Sequence, residues 1–422
     1  MMRPVDKPIG VQISALAMSA LILIVVSGCA LQRQQEALLV LGDIAAGSGD
    51  SRLKQKTARP SRTPVAYTID GRPHAGDLYL PGDGAPDAAI VLVPGAVPEG
   101  KDDARLVELA VTLARARFAV LTPDLPGYRK LKVRPDDARE VADAVRFLSG
   151  REDLAPDGRI GIGAFSYAVG PAVLASLEDD IREQVRFILG IGGYHDLRKS
   201  IRFFTTGYYE HRGKLRHMEA SEYGKLVFAR SVLDHLSDPD DRAIIDAMVE
   251  AKLRDETADI SVLAPGLGPE GRTVYDLLVN TDPQRTYDLI AALPARSRET
   301  VAGLNLHARD LSRLDAKLIL IHGRNDPLIP FTESIALGEA VSPSQARVFI
   351  INRILGHVDL GLSEIFTLRF WTQELPDAWR LFRATSLLLK QREIPRGART
   401  SKPGIPVSTG AKPRFSNGMQ YA

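Results

Sequence analysis

Short, mainly apolar runs alternate with longer amphipathic segments through much of the chain. The apolar runs lie at Ala88–Val93, Phe118–Leu121, Ile160–Gly163, Phe187–Ile191, Lys317–Ile321 and Arg347–Ile351. Helical periodicity fills the intervals at Ala104–Arg117 and Pro135–Ser149, and a further helix is predicted to begin over Pro171–Leu177. Strands that are buried on both faces are typically continuous apolar runs. The pattern therefore predicts an α/β fold, a mostly parallel sheet with helices on both faces.

Two further features of the pattern frame this core. Val65–Ile69 and Gly76–Leu80 predict a strand pair, with Asp70-Gly71 as a hairpin-type turn between them. The strand and helix alternation stops after about residue 197, and residues 198–310 are mainly helical and more polar. Open α/β sheets bind ligands at the carboxyl edge of their strands. An insertion at this place therefore predicts a helical cap over that edge.

The pattern outside the core is different at each end. Residues 31–46 predict a short helix, residues 47–63 are rich in Gly, Ser, Lys and Arg and predict a tether, and the end of the chain predicts a disordered tail. The predicted segments are a signal peptide at 1–28, a helix and tether at 29–63, a first core part at 64–197, a cap at 198–310, a second core part at 311–392 and a tail at 393–422.

The N-terminus has the organisation of an export signal. Arg3 and Lys7 precede an apolar run, Leu16–Val26, which is too short for a comfortable transmembrane span. The following Val26-Ser-Gly-Cys29 resembles the bacterial lipobox, in which the cysteine is acylated and becomes the first residue. The resemblance implies membrane attachment through Cys29, in the outer membrane facing the periplasm rather than the inner membrane, because Ala30 and not Asp follows. A plain signal peptide or an uncleaved anchor is the alternative.

Composition excludes several classes of function. The chain of 422 residues has 54 basic and 52 acidic side chains, so no broad basic face for nucleic acid is implied. Cys29 is the one cysteine, so the mature chain can form no internal disulfide. The sequence has no Walker loop, zinc-type spacing or internal repeat. We therefore predict no metal and no cofactor.

Candidate chemistry follows three of the predicted strands. Ser166 lies in Ile160-Gly-Ile-Gly-Ala-Phe-Ser-Tyr-Ala-Val-Gly170, which predicts a strand, a sharp turn and a helix with the serine at the apex. A serine becomes a useful nucleophile when such a turn exposes its oxygen beside a base. Asp326 follows the Lys317 strand, and His357 follows the Arg347 strand. Serine, acid and histidine in this order form the chain order of an α/β-hydrolase triad.

From about residue 64 to 392 the chain resembles the α/β-hydrolase superfamily. The resemblance rests on Val93-Pro-Gly-Ala96, Pro123-Asp-Leu-Pro-Gly127, the Ser166 turn, His322-Gly-Arg-Asn-Asp326-Pro and Gly356-His357. It implies that Ser166 is the nucleophile, His357 its base and Asp326 the acid that orients the histidine. The backbone N–H groups of Tyr167 and Ala96 would then bind the oxyanion.

One departure from the family pattern affects the function. The usual turn is Gly-x-Ser-x-Gly, whereas this chain has Ala164 and Ala168 at the two glycine positions. Alanine satisfies the need for a small side chain at some steric cost. The first hypothesis is a carboxylesterase-like hydrolase that acts on a small-molecule ester or acyl substrate through an acyl-enzyme. The alternatives are a peptidase or amidase of the same fold and a non-catalytic envelope lipoprotein with this fold.

Several other polar and aromatic residues near the predicted strand ends have a structural interpretation. We interpret His322 and Asp124 as structural, and Asp359 is too near His357 in the chain to orient it well. His195 and Asp196 follow a strand and are weaker candidates for a substrate contact. The aromatic pairs Phe203-Phe204 and Tyr208-Tyr209 predict packing in the cap, with an acyl pocket as the alternative.

Overall fold

The computed structural model describes residues 31–352 and 375–393, and within them one large sheet organises the fold. Eight strands form this sheet in the order β1-β2-β4-β3-β5-β6-β9-β10. Strand β2 runs antiparallel to both of its neighbours, and the other adjacent pairs are parallel. The strands are β1 Ser61–Ile69, β2 Arg72–Leu80, β3 Ala88–Val93, β4 Phe118–Pro123, β5 Ile160–Phe165, β6 Val185–Ile191, β9 Lys317–Gly323 and β10 Ala346–Ile351. The predicted mostly parallel sheet is confirmed.

Helices cover this sheet and fill the long insertion. The described part of helix α1 covers residues 31–46. The others are α2 Arg52–Lys56, α3 Ala104–Arg115, α4 Pro126–Arg129, α5 Asp137–Ser149, α6 Val169–Ala175, α7 Leu197–Thr206, α8 Tyr223–Val232, α9 Pro239–Arg254, α10 Pro269–Leu278, α11 Thr286–Ala292, α12 Ala295–Leu304, α13 Thr332–Glu339 and α14 Leu375–Lys390. No helix within the described ranges is both long and apolar enough to cross a bilayer.

The two faces of the sheet have separate hydrophobic cores. Along β3, Ala89, Val91 and Val93 pack into one core, whereas Ile90 and Leu92 pack into the other. The first core is covered by α5, α6 and the cap, and the second by α1, α3 and α14. This division follows from the geometry of a strand, because successive side chains point to opposite faces. Helices on both faces, as predicted from the continuous apolar runs, are confirmed.

The insertion between β6 and β9 is mainly helical, as the sequence predicts, and extends through α7 to α12. It also contains a feature that the pattern does not reveal, a two-stranded hairpin of β7 Tyr208–His211 and β8 Lys214–His217. Phe203 and Phe204 are both buried beneath this region. The packing interpretation of this aromatic pair is therefore confirmed.

The segment predicted as a tether is folded against the body. Leu53 of α2 is buried in the same core as Ala37 and Val40 of α1. The buried carboxylate of Asp43 accepts hydrogen bonds from Ser51 and, at 2.7 Å, from Thr112 of α3. Strand β1 begins at Ser61. The tether prediction for 47–63 is wrong over α2 and the start of β1, because buried contacts offset the flexibility that the composition suggests.

Candidate active site

Ser166 lies where β5 ends, and its backbone is strained. Its φ of +53° is in the left-handed region, which a residue other than glycine adopts only at a cost. A single 3-10 turn over Ser166–Ala168 leads directly into α6. The serine is 8% exposed and borders a cavity of about 990 Å³. The predicted strand, sharp turn and helix are all present.

Small residues around this turn permit the close approach of α6 to the sheet. A Cβ at Gly170 would lie 2.0 Å from the Tyr194 hydroxyl, and one at Gly193 would lie 2.6 Å from the Val169 Cβ. Ala164 pairs with Gly190 of β6, so its methyl group has a neighbour without a side chain. At Ala164, the glycine on the adjacent strand therefore leaves space for the methyl group where this kind of turn usually has glycine.

The turn after β3 borders the same cavity as Ser166. Pro94, Gly95, Ala96 and Val97 all line it, and so does Tyr167. The Tyr223 hydroxyl at the start of α8 donates a 2.8 Å hydrogen bond to the Ala96 carbonyl. The structure thus brings Ser166, Tyr167 and Ala96 to one cavity. The cap supplies the contact that holds Ala96, and no motif in the sequence marked Tyr223 for this role.

Asp326 lies in the loop after β9, and its contacts define the shape of that loop. One carboxylate oxygen accepts hydrogen bonds from the Leu328 and Ile329 amides at 2.8 and 3.1 Å. The other oxygen lies 3.3 Å from His322 Nε2. Pro327 and Leu328 border the cavity beside Ser166. Burial, and after it the charge of Asp326, raise the pKa of Tyr167 far above its ordinary value. Asp326 is thus close enough to influence electrostatically the residue that follows Ser166.

His322 has a structural environment. It is fully buried, its Nδ1 lies 2.7 Å from the Ser334 hydroxyl, and its Nε2 lies 2.9 Å from the Ile329 carbonyl. Because the carbonyl can only accept, Nε2 carries a proton and donates it to Ile329. Both ring nitrogens therefore have structural partners, one in the loop after β9 and the other in α13. The structural interpretation of His322 is confirmed.

A second buried acid connects two loops at this edge of the sheet. Glu333 accepts hydrogen bonds from the backbone amides of His195 and Asp196 at 3.1 and 2.7 Å. Burial raises the pKa of Glu333 to about 7. Burial and then the neighbouring His307 lower the pKa of His195 to about 4, so that its ring is neutral near pH 7. His195 does not line the cavity that contains Ser166, and sequence reasoning missed Glu333.

The other candidates have structural contacts or lie beyond the described ranges. Asp196 caps α7, and Asp124 accepts a 2.9 Å hydrogen bond from Arg129. His357, Asp359 and Cys29 lie outside the described residues. Among the described residues, no cluster of three or more His, Cys, Asp or Glu side chains could hold a metal ion.

Comparison with known proteins gives similarity of structure only. No family model and no curated protein sequence matches the chain. A variant of the rice cell wall degrading esterase LipA from Xanthomonas oryzae is similar at 15% identity and a TM-score of 0.48, over 78% of this chain and 90% of that one. The dienelactone hydrolase from Anabaena variabilis is similar at 15% identity and a TM-score of 0.39, over 78% and 98%.

A third similar structure is a puromycin-hydrolyzing peptidase of Mycobacterium tuberculosis, at 16% identity and a TM-score of 0.43, over 79% of this chain and 39% of that one. The sheet, the strained serine between β5 and α6, and the cap before β9 are features of this chain itself. These features agree with the fold that the resemblance to the α/β-hydrolase superfamily predicts. Fold does not determine the substrate, because many chemistries occur on it.

Proposed function

We propose that the protein is a serine hydrolase that cleaves carboxylic esters through an acyl-enzyme. The observation that carries the proposal is the positive φ of Ser166 at a turn that opens on a large cavity. A turn with a purely structural role would be more stable with glycine, which adopts positive φ at no steric cost. A serine in this strained conformation supports a reactive role over the non-catalytic alternative.

In the proposed reaction, Ser166 Oγ attacks the ester carbonyl while His357 accepts the hydroxyl proton. The amides of Tyr167 and Ala96 donate to the oxyanion, and the tetrahedral intermediate collapses as His357 returns the proton to the leaving alcohol. Water then attacks the acyl-enzyme with the same base and releases the acid. Asp326 orients His357 and stabilises its protonated form. No cofactor or metal takes part in these steps.

Labelling with a fluorophosphonate probe tests the nucleophile. We expect the wild type to be labelled and Ser166→Ala to lose the label, because the probe reacts with an activated serine. Ser48→Ala is the matched control, since Ser48 is an exposed serine that borders the same cavity. An unlabelled wild type, or equal labelling of the wild type and Ser166→Ala, would contradict the proposal. Parallel assays with ester and aminoacyl-amide substrates distinguish an esterase from a peptidase.

We also propose that Cys29 is acylated and anchors the enzyme in the bacterial envelope, in the outer membrane facing the periplasm. The packing of α1 against the same core as α3 supports a consequence for this anchor. The hydrolase body would lie close to the bilayer, since the described part of α1 starts two positions after Cys29 in the sequence. Metabolic labelling with an alkynyl fatty acid tests it. Cys29→Ser should abolish both the label and membrane association, and a variant that still fractionates with membranes would contradict the anchor.

A further inference from the structure

The cavity at Ser166 extends well beyond the space that the bond-breaking chemistry requires. From Ser166 it continues over the face of the sheet that α3 and α14 cover, and its far wall includes residues of α1. Leu106, Leu109 and Leu113 line it along α3, so it follows that helix for about 10 Å at 1.5 Å per residue. Its volume of about 990 Å³ is at the upper end of the range for ligand pockets.

The wall of this extension is apolar and incompletely packed. Leu41 and Ile44 of α1, Leu109 of α3, and Ile191 and Ile321 at the ends of β6 and β9 border the cavity. Each of these side chains is only partly buried, although each packs against the second core. Protein interiors normally fill such space closely. Large apolar side chains around an open volume indicate a site for an apolar ligand.

Among the described residues that border the cavity, the charged ones are mainly acidic. They comprise the carboxylates of Glu99, Asp103, Glu108 and Glu256 and one guanidinium, that of Arg105. The guanidinium is already paired with Asp103 at 2.8 Å. A negatively charged ligand would therefore meet repulsion, and the described part of this border offers it no unpaired cation. A neutral ligand is favoured.

We propose that this extension binds the long alkyl chain of a neutral ester, whose carbonyl then lies at Ser166. The inference rests on the proposed esterase function for the chemistry, but chain binding itself needs no catalysis. Each methylene that moves from water into the cavity improves binding roughly fourfold. The enzyme therefore prefers long-chain esters, whether the chain belongs to the acyl or the alcohol part.

Binding can be measured in a variant that does not turn over. The Ser166→Ala protein is titrated with methyl cis-parinarate, a neutral fluorescent ester. Two double variants, which carry Leu41→Trp or Leu38→Trp in addition to Ser166→Ala, are titrated in the same way. Leu41 borders the cavity, whereas Leu38 on the same helix is 62% exposed and is the matched control. We expect saturable binding that Leu41→Trp weakens about tenfold or more and Leu38→Trp leaves unchanged. Absence of saturable binding, or an equal effect of both variants, overturns the inference.

Turnover gives an independent measurement. With p-nitrophenyl acetate, octanoate and palmitate, we expect kcat/KM to rise with chain length and Leu41→Trp to lower it for palmitate but not for acetate. Hexadecyl acetate reports whether the alcohol chain can occupy the same site. Leu109→Trp replaces Leu41→Trp if the latter does not fold. Acetate turnover without chain preference overturns this inference alone, whereas absence of all turnover contradicts the proposed function and leaves the binding measurement valid. If residues of the protein itself filled the cavity, the titration would show no binding and turnover would show no preference for long alkyl chains, and the inference would be wrong.

Discussion

The turn at Ser166 and the loop after β9 place candidate catalytic groups at the same edge of the sheet, but different forces hold them. Packing holds the turn, because Gly170 lies against Tyr194 and Gly193 against Val169 without room for a Cβ. Polar contacts hold the loop, where Asp326 accepts two backbone amides and approaches His322. The cap also contributes, since the Ser221 amide donates to the Pro327 carbonyl at 2.8 Å. The turn should therefore respond to side-chain size, and the loop to charge and pH.

The largest expected effect is on the polar side of this comparison. Asp326→Asn keeps the shape of the side chain but removes the negative charge proposed to stabilise the protonated His357. We expect kcat for an ester to fall by about 10⁴. Asp124→Asn is the control, since Asp124 also follows a strand but lies outside the cavity. A fall of less than tenfold in a folded Asp326→Asn would assign the aspartate to loop structure alone.

A pH effect should appear at Glu333, whose folded-state pKa of about 7 lies above the ordinary value of 4.5. At this site the folded state then binds more protons than the unfolded state between these values, so the contribution of Glu333 to the free energy of unfolding falls as pH rises from about 4.5 to about 7. Roughly 3 kcal/mol of this contribution is lost over the interval.

Glu333→Gln removes this titration and keeps an oxygen to accept the amides of His195 and Asp196. We measure the free energy of unfolding of both proteins by urea titration at pH 5 and at pH 8. We expect the variant to be more stable relative to the wild type at pH 8 than at pH 5. A stability difference that does not change with pH would contradict a buried acid that titrates in this range.

The packing side of the comparison is tested by Gly170→Ala. The new methyl group would meet the Tyr194 ring and hydroxyl, and that hydroxyl is itself held by a 2.9 Å bond to the Leu304 carbonyl. We expect the free energy of unfolding to fall by about 1–3 kcal/mol, independently of pH. Gly42→Ala on α1, where nothing lies within 4 Å of the added Cβ, should instead stabilise by about 0.5–1 kcal/mol. Equal effects at the two glycines would show that packing at the turn is loose.

The smallest expected effect concerns the contact from the cap to Ala96. Tyr223→Phe removes the hydroxyl that donates to the Ala96 carbonyl and keeps the ring. We expect kcat/KM to fall by a factor that corresponds to about 0.5–1.5 kcal/mol, through kcat rather than KM, because the amide of Ala96 is proposed to act on the transition state. Tyr287→Phe in α11, at a side chain 39% exposed, is the control. A change in KM alone would indicate that Tyr223 contacts substrate and does not position the turn.

Much of the fold could be predicted because its signals are local. The apolar runs of β3, β5 and β6, the Asp70-Gly71 turn and the small residues around Ser166 each act over a few neighbouring positions. The folded state of residues 47–63 could not be predicted in the same way. The burial of Leu53 and the bond from Thr112 to Asp43 depend on α1 and α3, which the composition of that segment does not describe.

By itself, the sequence determined the alternation of strands and helices in the core, the sharp turn that carries Ser166 and the chain order of serine, acid and histidine. Only the tertiary structure decided which distant groups support them. Tyr223 contacts Ala96 across 127 positions, and Glu333 contacts Asp196 across 137. The extent of the cavity between α1, α3 and α14 was likewise decided by packing. The physical reason is that periodicity and turn chemistry act within a few residues, whereas hydrogen bonds between loops and the volume between helices depend on how the whole sheet is covered.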